Sequence, residues 1–194
     1  ATVIGAAIRW MRDEARFIDD FGDVERLATA VADSGGVVFV PAFTGLDAPY
    51  NDPGARATLV GMSLGTTRAH IVRAFLEALA FQLRAIKETI ARDAGIEMRQ
   101  LLVGGGVSAS DIACQLQADM LGIPVIRPSF TETTARAAAL LAGLGAGVWQ
   151  AIADLPPLPG GDTAFVPRPT GDSDNAYARW QTAVALVQQW SGNE

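Results

Sequence analysis

Apolar positions along this chain alternate between helical and strand-like spacing. From the start, residues 1–4 read as the end of a strand broken by Gly5, and Ile8, Met11, Ala15 and Ile18 recur at helical steps over 6–18. A second helical pattern covers 23–33 and stops at Ser34, Gly35 and Gly36. The run VVFVPAF at 37–43 predicts a buried strand, and ATLVGMSL at 57–64 another. Between them, 44–56 is rich in Gly, Pro and Asp and has no periodicity, which suits a functional or interface loop. The longest pattern, 68–93, places Ile71, Phe75, Leu79, Leu83, Ile86 and Ile90 at steps of three and four, capped by Thr66 or Thr67 and closed by Gly95.

After a strand at 100–103 come Gly104, Gly105 and Gly106, and then a helix over 109–121. Ser108 and Asp111 fit a capping box there, and Ile112, Leu116 and Met120 form its core stripe. A short strand at 123–128, an Ala-rich helix at 132–147, a Pro/Gly-rich connector and a last helix over 174–190 complete the chain. Strands alternating with helices predict an α/β layer structure with a mixed sheet flanked by helices.

Composition narrows the function. A formal charge of −6 argues against nucleic acid or an anionic membrane as the main partner. No apolar stretch is long enough to span a bilayer, and the start lacks the basic lead of a secretory signal. Cys114 is the only cysteine and reads as a small buried hydrophobe, in keeping with a cytoplasmic setting. His70 is the only histidine, which excludes a multi-histidine metal site and leaves it a structural role at a helix start. The four tryptophans, Trp10, Trp149, Trp180 and Trp190, read as packing residues by default, with a terminal anchor as the alternative for Trp190.

The chemistry concentrates at the glycine run. Glycines let a backbone turn sharply and approach a ligand without a Cβ in the way, and the start of the following helix presents unpaired N–H groups. The pattern is neither a GxxxxGK[ST] phosphate loop nor GxGxxG, so from the residues alone it is equally a ligand shelf or a tight strand-to-helix turn. Gly5 is a second glycine of the same kind, and Arg9 lies one turn further along its helix.

Several segments, in order, resemble the FGGY family of carbohydrate kinases. They are AAIRWMRDE at 6–14, PAFTGLDAPYNDPGAR at 41–56, ATLVGMSLGTTRAHIVRAFLEALAFQ at 57–82, VGGGVSASDIACQLQADMLGIPVIRP at 103–128 and TETTARAAALLAGLGAGVWQ at 131–150. The chain departs from the family pattern at Asp47, Asn51, Gly104 (where the family has Asp), Ser110 (where Asn is usual) and Arg9 (where Gln is usual). The resemblance implies an actin-like, RNase H-like domain. It places 1–150 in the core of a C-terminal nucleotide-binding domain, 151–173 in a connector and 174–190 in a terminal helix.

On that resemblance Gly5, Arg9, Gly105, Gly106 and Ser110 would contact ATP or ADP, with Mg2+ bound mostly outside this region. The catalytic base and the substrate-binding groups would lie in a preceding N-terminal domain, so no catalytic residue is expected here and the chain alone is expected to be inactive. Glycerol is the acceptor the resemblance favours for the whole enzyme, with a pentulose or other sugar as the alternative and self-association as a family habit. A noncatalytic actin-like assembly module is the reading from another class, motivated by Gly104, Arg9 and Ser110.

Overall fold

The computed structural model describes residues 4–157, 160–168 and 171–192. The strand expected over 1–4 lies outside these residues except for Ile4, which already begins helix α1 (Ile4–Asp13). This helix buries Ala7, Ile8 and Met11, as its spacing predicts, but it ends five residues earlier than expected. Arg16 turns left-handed with φ of 57°, and the Phe17 N–H closes a Schellman-type cap on the Met11 carbonyl at 2.8 Å. No glycine marks this stop, so the apolar pattern runs through it to the buried Ile18.

Helix α2 (Gly22–Thr29) buries Val24, Leu27 and Ala28. Strands β1 (Val38–Val40) and β2 (Thr58–Val60) pair antiparallel. The long helix α3 (Arg68–Ala94) follows, with Thr67 at its N-cap. His70 Nδ1 accepts the Thr67 N–H at 3.1 Å, which is the structural role expected of this histidine. Gly95, at φ of 64°, closes the helix on the Ala91 carbonyl.

A second sheet holds β3 (Leu101–Leu102), β4 (Val125–Arg127) and β5 (Thr163–Phe165), with β3 parallel and β5 antiparallel to β4. The expected mixed sheet is thus this one, and β1–β2 form a separate ribbon. Strand β5 falls in the stretch read as a connector without regular structure. Its three residues are too few for a periodic signal, and the edge of β4 supplies their order.

Helix α4 (Asp111–Leu121) stands between two cores. Its Ile112, Leu116 and Met120 are only partly buried against the main core of α1, α2, β1, α3 and helix α6 (Ser173–Ser191). Ala113 is covered on that side too, while on the other side Cys114, Ala118 and Leu121 join Val125 and Phe165 in a smaller core. The stripe read from sequence is therefore one of two. The second was hidden because it is built from small residues and a cysteine.

The tryptophans divide. Trp180 is fully buried and donates its indole N–H to the Phe39 carbonyl at 3.1 Å, joining α6 to β1. Trp10 is partly exposed yet packs its ring against Phe43 at 4.9 Å and Phe17 at 6.2 Å, whereas Trp190 is exposed and does not join the core. Helix α5 (Thr133–Gly145) buries no residue. Trp149 lies against it at Gly143, where a Cβ would meet the indole at 2.1 Å. Among the described residues no helix is long and apolar enough to cross a membrane.

Loop 44–56 is ordered by its own carboxylate. Leu46 and Asp52 exchange backbone hydrogen bonds of 2.7 and 2.9 Å. The Asp52 side chain accepts the Gly54 N–H at 2.9 Å, the Ala55 N–H at 3.1 Å and the Ser191 hydroxyl at 2.6 Å. These donors, the Ser191 hydroxyl first, hold the carboxyl below its ordinary pKa. The ionised form therefore stabilises the fold fully above the usual carboxylate range, and that contribution is lost as pH falls through the depressed value. Asp52→Asn is expected to lower the thermal midpoint of the intact protein at pH 7, with the two midpoints converging as pH drops below about 4. A constant gap across that range would contradict this account.

Candidate functional site

The glycine turn forms where β3 leaves its sheet. Val103 N–H still reaches the Ile126 carbonyl at 3.0 Å, and the chain then bends away. Gly105 adopts φ of 86° and ψ of 176°, a region that L side chains rarely occupy, while its N–H donates to the Thr131 carbonyl at 2.8 Å. The Gly105 carbonyl accepts both the N–H and the hydroxyl of Ser108, at 3.1 and 2.6 Å, closing a 3₁₀ turn over Gly106–Ala109. Ser108 is thus spent inside the turn. The residue that caps α4 is Ser110, whose Oγ accepts the Ala113 N–H at 3.2 Å, which corrects the Ser108–Asp111 capping box.

Two distant side chains hold this turn. Arg127, on β4, donates from Nη1 to the carbonyls of Ser108 (2.9 Å) and Ala109 (3.3 Å) and pairs with Asp111 at 2.7 Å. Glu25, on α2, accepts the Ser110 hydroxyl and the Ile112 N–H, the latter at 3.2 and 3.3 Å to its two oxygens. A carboxylate at a helix N-terminus answers both the unpaired N–H groups and the helix dipole. Cys114 packs beneath, its thiol donating to the Ser108 carbonyl at 3.3 Å, and burial pushes its pKa up to about 11. This is the inert, buried thiol that its sequence context predicts.

In front of the turn lies a cleft of about 710 Å³. Gly104, Gly106, Val107, Ala109 and Ser110 form one wall, Ile4, Gly5 and Ile8 of α1 a second, and Phe21, Gly22, Val24 and Glu25 a third. Of the residues singled out from sequence, the structure brings Gly5, Gly106 and Ser110 together here. Arg9 is exposed beside them: a Cβ on Gly5 would stand 3.9 Å from its Nη1. Gly105 is not among the lining residues. Phe21 and Glu25 were missed, because a Glu in the first turn of an amphipathic helix carries the same signal whether it faces water or a cleft.

The three glycines have different reasons to be glycine. Gly105 needs its positive φ. At Gly104 a Cβ would meet the Thr133 Oγ1 at 2.8 Å, so α5 packs closely against this position. At Gly106 a Cβ would meet nothing within 4 Å, and its φ is ordinary. The fold does not require that glycine. Around the site, no group of three or more His, Cys, Asp or Glu side chains among the described residues is placed to hold a metal ion.

The solved carbohydrate kinases that this chain resembles share an actin-like ATPase fold, and the helices packed on small sheets follow it. The profile of the C-terminal domain of the FGGY family of carbohydrate kinases matches residues 2–146, and the chain belongs to that family. Glycerol kinases from Dechloromonas aromatica and Saccharolobus islandicus are 48% and 45% identical over 96% and 97% of the chain. The chain spans 38% of the length of each. Among solved structures, Plasmodium falciparum glycerol kinase with ADP is 31% identical, with a TM-score of 0.77 over 94% of this chain and 37% of its own. Rhodospirillum rubrum xylulose kinase is 26% identical, with a TM-score of 0.73 over 97% of this chain and 38% of its own.

The glycine analysis separates two substitutions. Gly105→Ala is expected to destabilise the intact protein by about 1–3 kcal/mol. Gly106→Ala is expected to leave stability unchanged or raise it by up to about 1 kcal/mol, because it narrows only the unfolded ensemble. Denaturant titration of both variants checks the difference, and equal losses would show that the turn does not distinguish them.

Proposed function

We propose that this chain is the nucleotide-binding part of a glycerol kinase, which transfers the γ-phosphoryl of MgATP to a terminal hydroxyl of glycerol. One observation carries the reading: Gly5 on α1 and Gly106 on the turn are both open to the same cleft, and neither has a steric reason within the fold to be glycine. Two such positions on separate elements suit a ligand that lies against backbone. The ADP named with the Plasmodium enzyme, and the curated relatives at 45–48% identity, support an adenine nucleotide and a glycerol acceptor.

In this reading Gly5 and Gly106 admit the nucleotide against main chain, Ser110 meets it with a hydroxyl already oriented by Glu25, and Gly105 sets the turn. Arg9 supplies positive charge at the mouth, and Mg2+ arrives with the phosphates and is held by groups outside this chain. The catalytic base and the glycerol site belong to the remaining length of the protein, whose domain would close over the cleft and exclude water. The proposed core (1–150), connector (151–173) and terminal helix (174–190) then act as one unit. A cytoplasmic location accompanies these substrates, and self-association of the whole enzyme is compatible with it. The likeness to xylulose kinases keeps a pentulose acceptor as the second reading. A noncatalytic assembly module stays the reading from another class, its support the departures at Gly104, Arg9 and Ser110.

With ATP as donor, the intact protein is expected to phosphorylate glycerol with a higher kcat/KM than xylulose, and the 194-residue chain alone to transfer nothing. Preference for xylulose would overturn the assignment of the acceptor. Gly106→Val is expected to raise the KM for ATP in the intact enzyme, and an unchanged KM would remove Gly106 from the nucleotide site.

A further inference from the structure

The β3–β4–β5 sheet is packed on one face only. The cross-strand row Leu101, Val125 and Phe165 turns toward α4, where Cys114, Ala118 and Leu121 cover it. The next row, Leu102, Ile126 and Ala164, points the opposite way, because successive side chains of a strand alternate between faces. That row is left to water: Leu102 is 60% exposed, Ala164 is exposed and Ile126 is only partly covered. A parallel pair such as β3–β4 is ordinarily covered on both faces.

The edge of this sheet is open as well. Leu101 and Val103 donate their N–H groups to the Pro124 and Ile126 carbonyls, at 2.9 and 3.0 Å. The N–H and C=O of Leu102 between them point away from β4, and no strand among the described residues lies there. An unpaired apolar edge is a template for a further strand.

Helix α5 is the third element without a partner. From Ala137 to Gly145 every residue is Ala, Leu or Gly, and Leu141 is 68% exposed. Its one charged side chain, Arg136, is folded onto the Pro156 and Pro157 carbonyls at 2.5 and 2.9 Å. A helix that is apolar all round belongs in an interior. It starts at the same end of the sheet, since a Cβ on Gly104, two residues past Leu102, would meet Thr133 of its first turn.

The path of the chain points to what covers these three surfaces. Ile4, at the start of α1, lines the same cleft as Gly104, so the backbone enters this fold beside the end of β3. The matched profile is that of a C-terminal domain, and the chain spans 38% of its glycerol kinase relatives, so the remaining length of such a protein lies ahead of residue 1. We propose that the segment directly ahead of residue 1 in the intact protein adds a strand to the open edge of β3, and that α5 packs across the extended sheet on the face opposite α4. The folding unit that carries the glycine turn then starts upstream of this chain, whether or not the cleft takes a nucleotide.

Hydrogen exchange and photocrosslinking on the intact protein test this. The Leu102 amide of the wild type is expected to exchange about a hundredfold or more slowly than an unpaired amide. With the photocrosslinker p-benzoylphenylalanine at position 141, irradiation is expected to join α5 to a peptide ahead of residue 1 of the same chain, at monomer mass. Exchange of the Leu102 amide at the unpaired rate would overturn the proposal on wild-type protein, whatever the fate of the variant. A crosslinked dimer would assign the face to a second copy and sink the proposal. An adduct confined to residues 1–194, or none, would do the same by leaving α5 without the proposed cover.

Discussion

A helix cannot hydrogen-bond the N–H groups of its own first turn, and the way α4 meets that constraint shapes the cleft. The donors are answered by Ser110 locally and by Glu25 from α2, across more than eighty residues of sequence. The tie sets the distance between the glycine turn and the α2 wall. It also fills the start of α4 with a carboxylate. An incoming anion therefore meets the main chain of the turn before the helix end, and the positive end of the dipole is already balanced.

Around that tie the parts support one another. Arg127 gathers the carbonyls at the end of the turn and anchors them to β4, so the turn is held from the sheet side as well. Helix α4, gripped between two cores, has little freedom to tilt. The glycine turn is therefore a fixed surface, and its shape does not await a ligand.

Much of this was legible in the sequence where a residue type has one physical reason to be present. Gly95 ends α3 in a left-handed conformation, as its position after an apolar periodic run predicts, and Gly122 ends α4 in the same way. The buried first half of α3 follows its three-and-four spacing. Legibility failed where one pattern admits two arrangements. Ser108 and Ser110 are both hydroxyls before α4, and only the three-dimensional path of the turn decides which one caps it. Arg16 stops α1 in a conformation usually left to glycine, so nothing in its type announces the stop. Glu25 and Phe21 belong to the cleft through contacts that cross the fold, and a linear pattern does not record those. The family resemblance supplied Gly5 and Gly106 as a pair, while the open Cβ positions supplied the physical reason for both.

The buried thiol of Cys114 has a use apart from packing. It is the only cysteine, fully covered, and its proton is held against the Ser108 carbonyl at the base of the turn. A thiol-directed reagent has no route to it in the closed fold, so the rate at which this chain is labelled measures how often the turn and α4 part. The protein carries its own clock for the opening of the surface on which its ligand is proposed to lie.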